Sequence, residues 1–170
     1  MRKIAIALVA AALLGPACAA TGSPLGPSTD TNRSAELNVA PPVMSSATSP
    51  EVALCADETN RYRASVGLRP LVRSAALEDF ASHAASHDGV AHVAHNFFAG
   101  NNGAGVSTAE TEILWWRGFS VQTVIQRGLA QMWQVGPGGE HYDIMAGSYS
   151  EIGCGVAING SEVTVTQDFR

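Results

Sequence analysis

Five histidines are the residues of this 170-residue chain best suited to chemistry. His83 and His87 stand four apart in a helical pattern, His92 and His95 follow closely, and His141 lies far downstream. Neutral imidazoles beside carboxylates bind divalent cations or pass protons. A His-x-x-x-His pair on one helix face is the zinc pair of a metallopeptidase only when Glu directly follows the first His as general base. Ala84 stands there, which excludes that activity and leaves His83 and His87 as solvated surface residues. Nucleophile patterns are absent too. There is no Gly-x-Ser-x-Gly elbow, nothing around Cys55 or Cys154 forms a reactive-cysteine signature, and no Gly-rich loop follows a strand to cradle phosphate. The run Gly136-Pro137-Gly138-Gly139 follows a helical segment and reads as a turn.

Three helices and a terminal hairpin must position these groups. Pro50 opens a helix over residues 51–65, with Val52, Cys55, Thr59, Tyr62 and Val66 on one stripe and Gly67 as its stop. Ser74 is placed to cap a second helix, in which Leu77, Phe80, Ala81 and Ala84 recur at helical spacing before it ends near Asp88-Gly89. Residues 89–111 show no clear period. Ser120 caps a third helix carrying Val121, Val124, Ile125, Leu129 and Met132, with Trp133 at its end. Ile152, Cys154, Val156 and Ile158 then alternate, Asn159-Gly160 turns, and Val163, Val165 and Phe169 alternate again, the pattern of a hairpin with a type I′ turn. The elements make one α+β domain over residues 49–170.

The first 19 residues read as a secretory signal: Arg2-Lys3, an apolar run from Ile4 to Leu14 too short to span a bilayer, Gly15-Pro16, and the small residues Ala17-Cys18-Ala19. Cleavage after Ala19 gives a soluble product, whereas cleavage before Cys18 gives a lipid-anchored one. Residues 20–48, rich in Ser, Thr, Pro and Gly, read as a flexible tether. Either way the protein is expected to be exported to the medium or the cell surface, and membrane contact is expected only in the second case, through a lipid on Cys18. Cys55 and Cys154 remain as an even pair on inward-facing phases, and in an oxidising compartment they are expected to form a disulfide. With a formal net charge of -5 and no basic patch, nucleic acid is excluded as a partner.

Five segments in order carry a family resemblance. They are Asn60-Arg61-Tyr62-Arg63 with Leu68-Arg69-Pro70-Leu71; Ala109-Glu110-Thr111-Glu112-Ile113; Trp133 through Gly139-Glu140-His141-Tyr142; Ile152-Gly153-Cys154-Gly155-Val156; and Thr166-Gln167-Asp168-Phe169. This order resembles the CAP superfamily of cysteine-rich secretory, antigen 5 and pathogenesis-related 1 domains, in its bacterial SCP-like form. The resemblance implies an αβα sandwich, with three or four helices around a small, mostly antiparallel sheet ending in a hairpin. It also implies a central cleft flanked by two histidines and two acidic residues. His141 matches the second histidine. His95 is the choice for the first, with His92 its rival, and Glu112 is preferred to Glu110. The second glutamate has no clear match, because Gln134-Val135 occupies its place and Glu140 would serve only if turned inward.

A cleft of His95, Glu112 and His141, converging where the sheet edge meets the helices, could hold zinc or calcium through His95 and His141. It could equally work as an acid and base pair, or be a hydrogen-bonded network that shapes the cleft. The functions these imply are an extracellular binding domain for a small apolar or lipid ligand, or a peptidase-like hydrolase acting through Glu112 and His141. A structural role at the cell surface is the third. Binding is favoured over catalysis because one acidic partner is missing and no nucleophile is visible.

Overall fold

The structure, a computed structural model, describes residues 41–45 and 49–170. The signal, its cleavage site, Cys18 and most of the stretch read as a tether lie outside these residues. In chain order the elements are β1 (Val43–Met44), α1 (Pro50–Ser65), β2 (Val72–Arg73), α2 (Ala75–Ala91), α3 (Asn96–Asn101), β3 (Ala109–Arg117), α4 (Val121–Gln134), α5 (Glu140–Met145), β4 (Glu151–Asn159) and β5 (Glu162–Phe169), with a 3-10 turn at Asn102–Gly105. The sheet runs β1-β4-β5-β3, and β2 adds a parallel pairing to the lower end of β4. The other pairings are antiparallel. This is the α+β sandwich expected, and β1 recruits two residues of the tether stretch to its edge.

Local chemistry sets the long helices. The Ser49 hydroxyl accepts the Val52 N–H at 3.2 Å, and Pro50 fills the first turn of α1, where its missing N–H costs nothing. The Ser120 hydroxyl likewise accepts the Thr123 N–H of α4 at 3.2 Å. Ser74 stands at the N-cap of α2, but its side chain makes no cap bond. Two six-residue helices, α3 and α5, were not expected. At that length neither a hydrophobic period nor intrinsic stability exists, and tertiary contacts alone hold them. The terminal hairpin forms with its turn one residue later than expected. Asn159 pairs with Glu162, so Gly160 and Ser161 are the loop. Only Gly160 has a positive φ, +60°, which is the type II′ arrangement rather than type I′.

Alternation along the strands divides the sheet into two unlike faces. One carries Ile152, Cys154, Val156, Val163, Val165, Phe169 and Ile113, which pack with Val52 and Cys55 of α1 and Val124, Ile125 and Leu129 of α4. A buried polar link crosses this face: Thr111 donates to Gln167 at 2.9 Å, and Gln167 donates in turn to Thr59 of α1. The expected disulfide joins Cys55 to Cys154, with Cα atoms 6.2 Å apart and a sequence separation of 99. In the chain-entropy account such a loop is worth up to ~4.7 kcal/mol.

The opposite face is built from Gly153, Gly155, Thr164, Thr166, Asp168, Glu110 and Glu112, and α2 lies across it. Gly153 and Gly155 allow this. A Cβ at either would overlap backbone atoms of α2, at Leu77 and Glu78 or at Ala81 and Ser82. Gly155→Ala is therefore expected to destabilise the fold by about 3 kcal/mol or more, since neither backbone can retreat without disturbing the ladder or the helix. Gly100, on exposed α3 with open space where a Cβ would go, is the control, and Gly100→Ala should leave stability within about 0.5 kcal/mol. Chemical denaturation of both variants reads the difference.

Candidate functional site

The site forms where the last turn of α2 meets β3. Asp88, fully buried in that turn, accepts the backbone N–H of Phe97 at 2.9 Å and stands 2.7 Å from His87 Nδ1. This ties the start of α3 back onto α2. Phe97 and Phe98 then pack against Phe80, with ring centroids 5.2 and 6.4 Å apart. The connection bends through two left-handed residues, His92 (φ 52°) and His95 (φ 56°). A bulge in β3, where Leu114 and Trp115 oppose Thr164 alone, turns Trp115 toward α2, and its indole N–H donates to the Asp88 carbonyl at 3.2 Å. His95 is thereby held over β3.

Beneath His95, Glu110 and Glu112 point to the same face because they are two apart on a strand. The His95 backbone N–H donates to Glu112 Oε2 at 2.7 Å, and His95 Nδ1 lies 2.9 Å from Glu110 Oε1 and 3.6 Å from Glu112 Oε2. The Thr166 hydroxyl donates to the other oxygen of Glu112 at 3.1 Å. The imidazole is half-exposed, whereas the Glu110 and Glu112 side chains are 1% and 0% exposed. One ligand atom from each of His95, Glu110 and Glu112 falls within a 4.8 Å set, so these three could hold a metal ion.

Electrostatics follow from this crowding. Burial is the main cause that raises the Glu112 carboxyl to about 7, opposed by the His95 amide and reinforced by Glu110 and Asp88. Burial also raises Glu110, against the His95 hydrogen bond. The His95 imidazole is raised chiefly by its bond to Glu110. Asp168, opposite Glu110 on β5, is pushed up to about 8 by burial, with Glu110 and Glu112 adding to the effect. The Ser107 hydroxyl opposes that shift, but its own bond goes to the Ala109 carbonyl at 3.0 Å.

A groove of about 290 Å³ runs along the outer edge of β3, between it and α4 and α5. Ile113, Leu114, Trp116, Met132 and Val135 form its apolar walls, and Glu112, Gln131 and His141 its polar part. Gly128 lets α4 come close, since a Cβ there would meet the Ile113 side chain. The helix α5 that carries His141 is fixed from both ends. Trp133 packs on Tyr142 at 4.4 Å, and the buried Arg63 guanidinium donates to the carbonyls of Met145 and Gly147 at 2.7 and 2.9 Å.

Of the residues expected in one cleft, His95 touches Glu112, and Glu112 shares the groove with His141, while His95 is not among the groove's lining residues. Glu110, passed over in favour of Glu112, is the carboxylate bonded to the His95 ring. His92 has other partners, Glu162 at 2.7 Å and the Trp115 ring at 5.1 Å. Glu140 and Gln134 are exposed. Asp168 was missed as a site residue. Its signal was present in the chain: with Val163, Val165 and Phe169 facing inward, the phase of β5 sets Asp168 on the same face as Glu110 and Glu112.

The raised Glu112 carboxyl gives a pH signature. A carboxyl whose folded value exceeds its unfolded one contributes stability at low pH and loses it as pH rises through the folded value. In chelator-treated protein, wild type should therefore lose thermal stability relative to Glu112→Gln between about pH 4 and pH 8. A gap between the two melting temperatures that stays constant across that range would show that Glu112 titrates normally.

Comparison with known proteins places the chain in a family. Among curated proteins none matches. A crystal structure of a cysteine-rich secretory protein from Staphylococcus aureus subsp. aureus Mu50 is similar at 14% identity and a TM-score of 0.47, over 71% of this chain. The present chain spans only 38% of that one. The family model for CAP, the cysteine-rich secretory protein family, matches residues 56–169, from the middle of α1 to the end of β5. The chain belongs to the CAP family.

Proposed function

We propose that this protein is an extracellular binding module that takes a small apolar molecule with one polar group into the groove beside β3. The observation that carries this reading is the division of the groove lining. Ile113, Leu114, Trp116, Met132 and Val135 offer apolar contact, and Gln131 and His141 offer hydrogen bonds to a head group. Concave apolar surfaces with a few placed polar groups are the usual form of small-molecule sites. A lipid-like amphiphile fits that chemistry. Export is supported by the buried disulfide, which persists in oxidising compartments, and by the signal read in residues 1–19. No helix among the described residues is long and apolar enough to cross a membrane.

A second reading has its own observation: the 4.8 Å set of His95, Glu110 and Glu112 is a ready ligand group for zinc or calcium. Hydrolysis at the groove has weaker support. Its lining contains no Ser, Thr or Cys, so a reaction there would have to use water activated by His141.

Titration with a bromine-labelled fatty acid tests the groove, because bromine quenches nearby indoles and Trp116 is in the wall. Quenching at micromolar concentration is expected, with a loss on Trp116→Phe. Val135→Trp fills the groove from an exposed position and should weaken binding tenfold or more. Undiminished Trp fluorescence in wild type would reject the binding reading. Turnover of fluorogenic peptides that disappears in His141→Gln would replace it with hydrolysis.

A further inference from the structure

The arginines of residues 49–170 divide unevenly between partners. Arg61 pairs with Glu58, Arg73 with Glu78, Arg117 with Glu162 and Arg170 with Glu151, and the Arg127 guanidinium lies 5.2 Å from the centre of the Phe119 ring. Arg63 and Arg69 have no carboxylate partner among the described residues. Both line one pocket of about 300 Å³, between the end of α1 and the segment that joins α5 to β4, and Arg170 is its third arginine. No acidic side chain belongs to its lining. No basic run in the sequence announces this patch, because the fold gathers it from positions 63, 69 and 170.

Arg63 is the buried member, 3% exposed. Its Nε donates to the Arg69 carbonyl at 3.1 Å and its Nη1 to the Met145 and Gly147 carbonyls, so backbone oxygens fix the plane of the guanidinium. Its Nη2 has no partner among the described residues and is the edge left for the pocket. Burial lowers this guanidinium below its ordinary value, and only Tyr149 opposes that. Dehydrating a cation is costly unless an anion accompanies it. Glu151 offsets Arg170, which leaves Arg63 and Arg69 as positive charges without a counter-charge. Ser148, exposed at the rim, makes no hydrogen bond among the described residues, so its hydroxyl and backbone N–H are both free to donate.

We propose that this pocket binds a phosphate group, held by Arg63 and Arg69 with Ser148 as the neutral donor. Guanidinium forks match carboxylate and phosphate oxygens alike. Charge decides between them. A phosphate monoester carries about two negative charges near neutral pH, which balances the two unmatched arginines, whereas a carboxylate would leave one of them unmatched. The donors also arrive from α1, from the loop after it and from the segment after α5, which suits a tetrahedral anion better than a planar one. This pocket shares no lining residue with the groove beside β3, so the inference does not rest on the ligand proposed there.

Titration calorimetry of the full chain with inorganic phosphate and with glycerophosphate tests this. Co-sedimentation with phosphatidylcholine vesicles, with and without phosphatidic acid, separates a lipid headgroup from a free phosphate. Arg69→Glu is the principal variant, because the Arg69 side chain is exposed and bonds to nothing in the fold, and it should melt like wild type in phosphate-free buffer. It is expected to weaken phosphate at least ~10-fold, as the loss of a charge-assisted bond does. The rise in melting temperature that phosphate gives wild type should also vanish. Ser148→Asp, at a second exposed position, should act the same way by repulsion, whereas Arg127→Gln, outside the pocket, should change nothing. Uptake of the soluble anions that both pocket variants lose establishes a free-phosphate site. Retention on phosphatidic acid vesicles alone, lost in Arg69→Glu, establishes a headgroup site. Absence of both, or binding that Arg69→Glu and Ser148→Asp leave unchanged, overturns the proposal.

Discussion

The contact on which this molecule depends is that between α2 and the two glycines of β4. At Gly153 and Gly155 the helix meets the sheet backbone to backbone, with no side chain between. The helix lies over β4 and β5 and scarcely reaches β3. Over β4 the layer needs nothing larger than hydrogen to fill it. Toward β3 it needs longer side chains, and there the chain places Thr164, Thr166, Asp168, Glu110 and Glu112. A tight contact at one end of the layer thus makes a buried polar chamber at the other. The cost of dehydrating its carboxylates is carried by the large apolar face on the far side of the sheet.

Glu112 is the hinge of the arrangement. Its side chain belongs to the buried cluster under His95, yet the same residue lines the groove that also contains His141. An edge strand makes this possible, since a residue on β3 has the helix-covered face on one side and an unpaired margin on the other. The cluster and the groove share this residue.

What could be read from the chain divides along physical lines. Helices α1 and α4, the hairpin and the Cys55–Cys154 pairing were legible because each rests on local periodicity or on phase. Helices α3 and α5 were not, because six residues show no period and their stability comes from Asp88, Phe80, Arg63 and Trp133, all distant in sequence. The turn of the hairpin was misplaced by one residue because Asn-Gly matches the type I′ pattern, while the pairing of Asn159 with Glu162 is decided by the whole ladder. Motif order pointed to His95, Glu112 and His141, but could not separate Glu110 from Glu112, which sit two apart on one face and both meet His95. Asp168 stood within a quoted motif, yet its meaning depends on cross-strand register. No single strand reveals what lies opposite.

The disulfide joins α1 to the middle of the sheet, and that placement gives the molecule a load path. Tension applied between the residues before Cys55 and the end of the chain passes through the sulfur atoms directly from α1 into β4. The 98 residues between the cysteines, which include α2, β3, α4 and α5, are bypassed. His95, Glu110, Glu112 and His141 all lie in that slack loop, and Asp168 alone lies beyond it. A protein held at a surface by its N-terminal side could be pulled by flow or by a neighbour, and the segments that form its groove would carry none of the force.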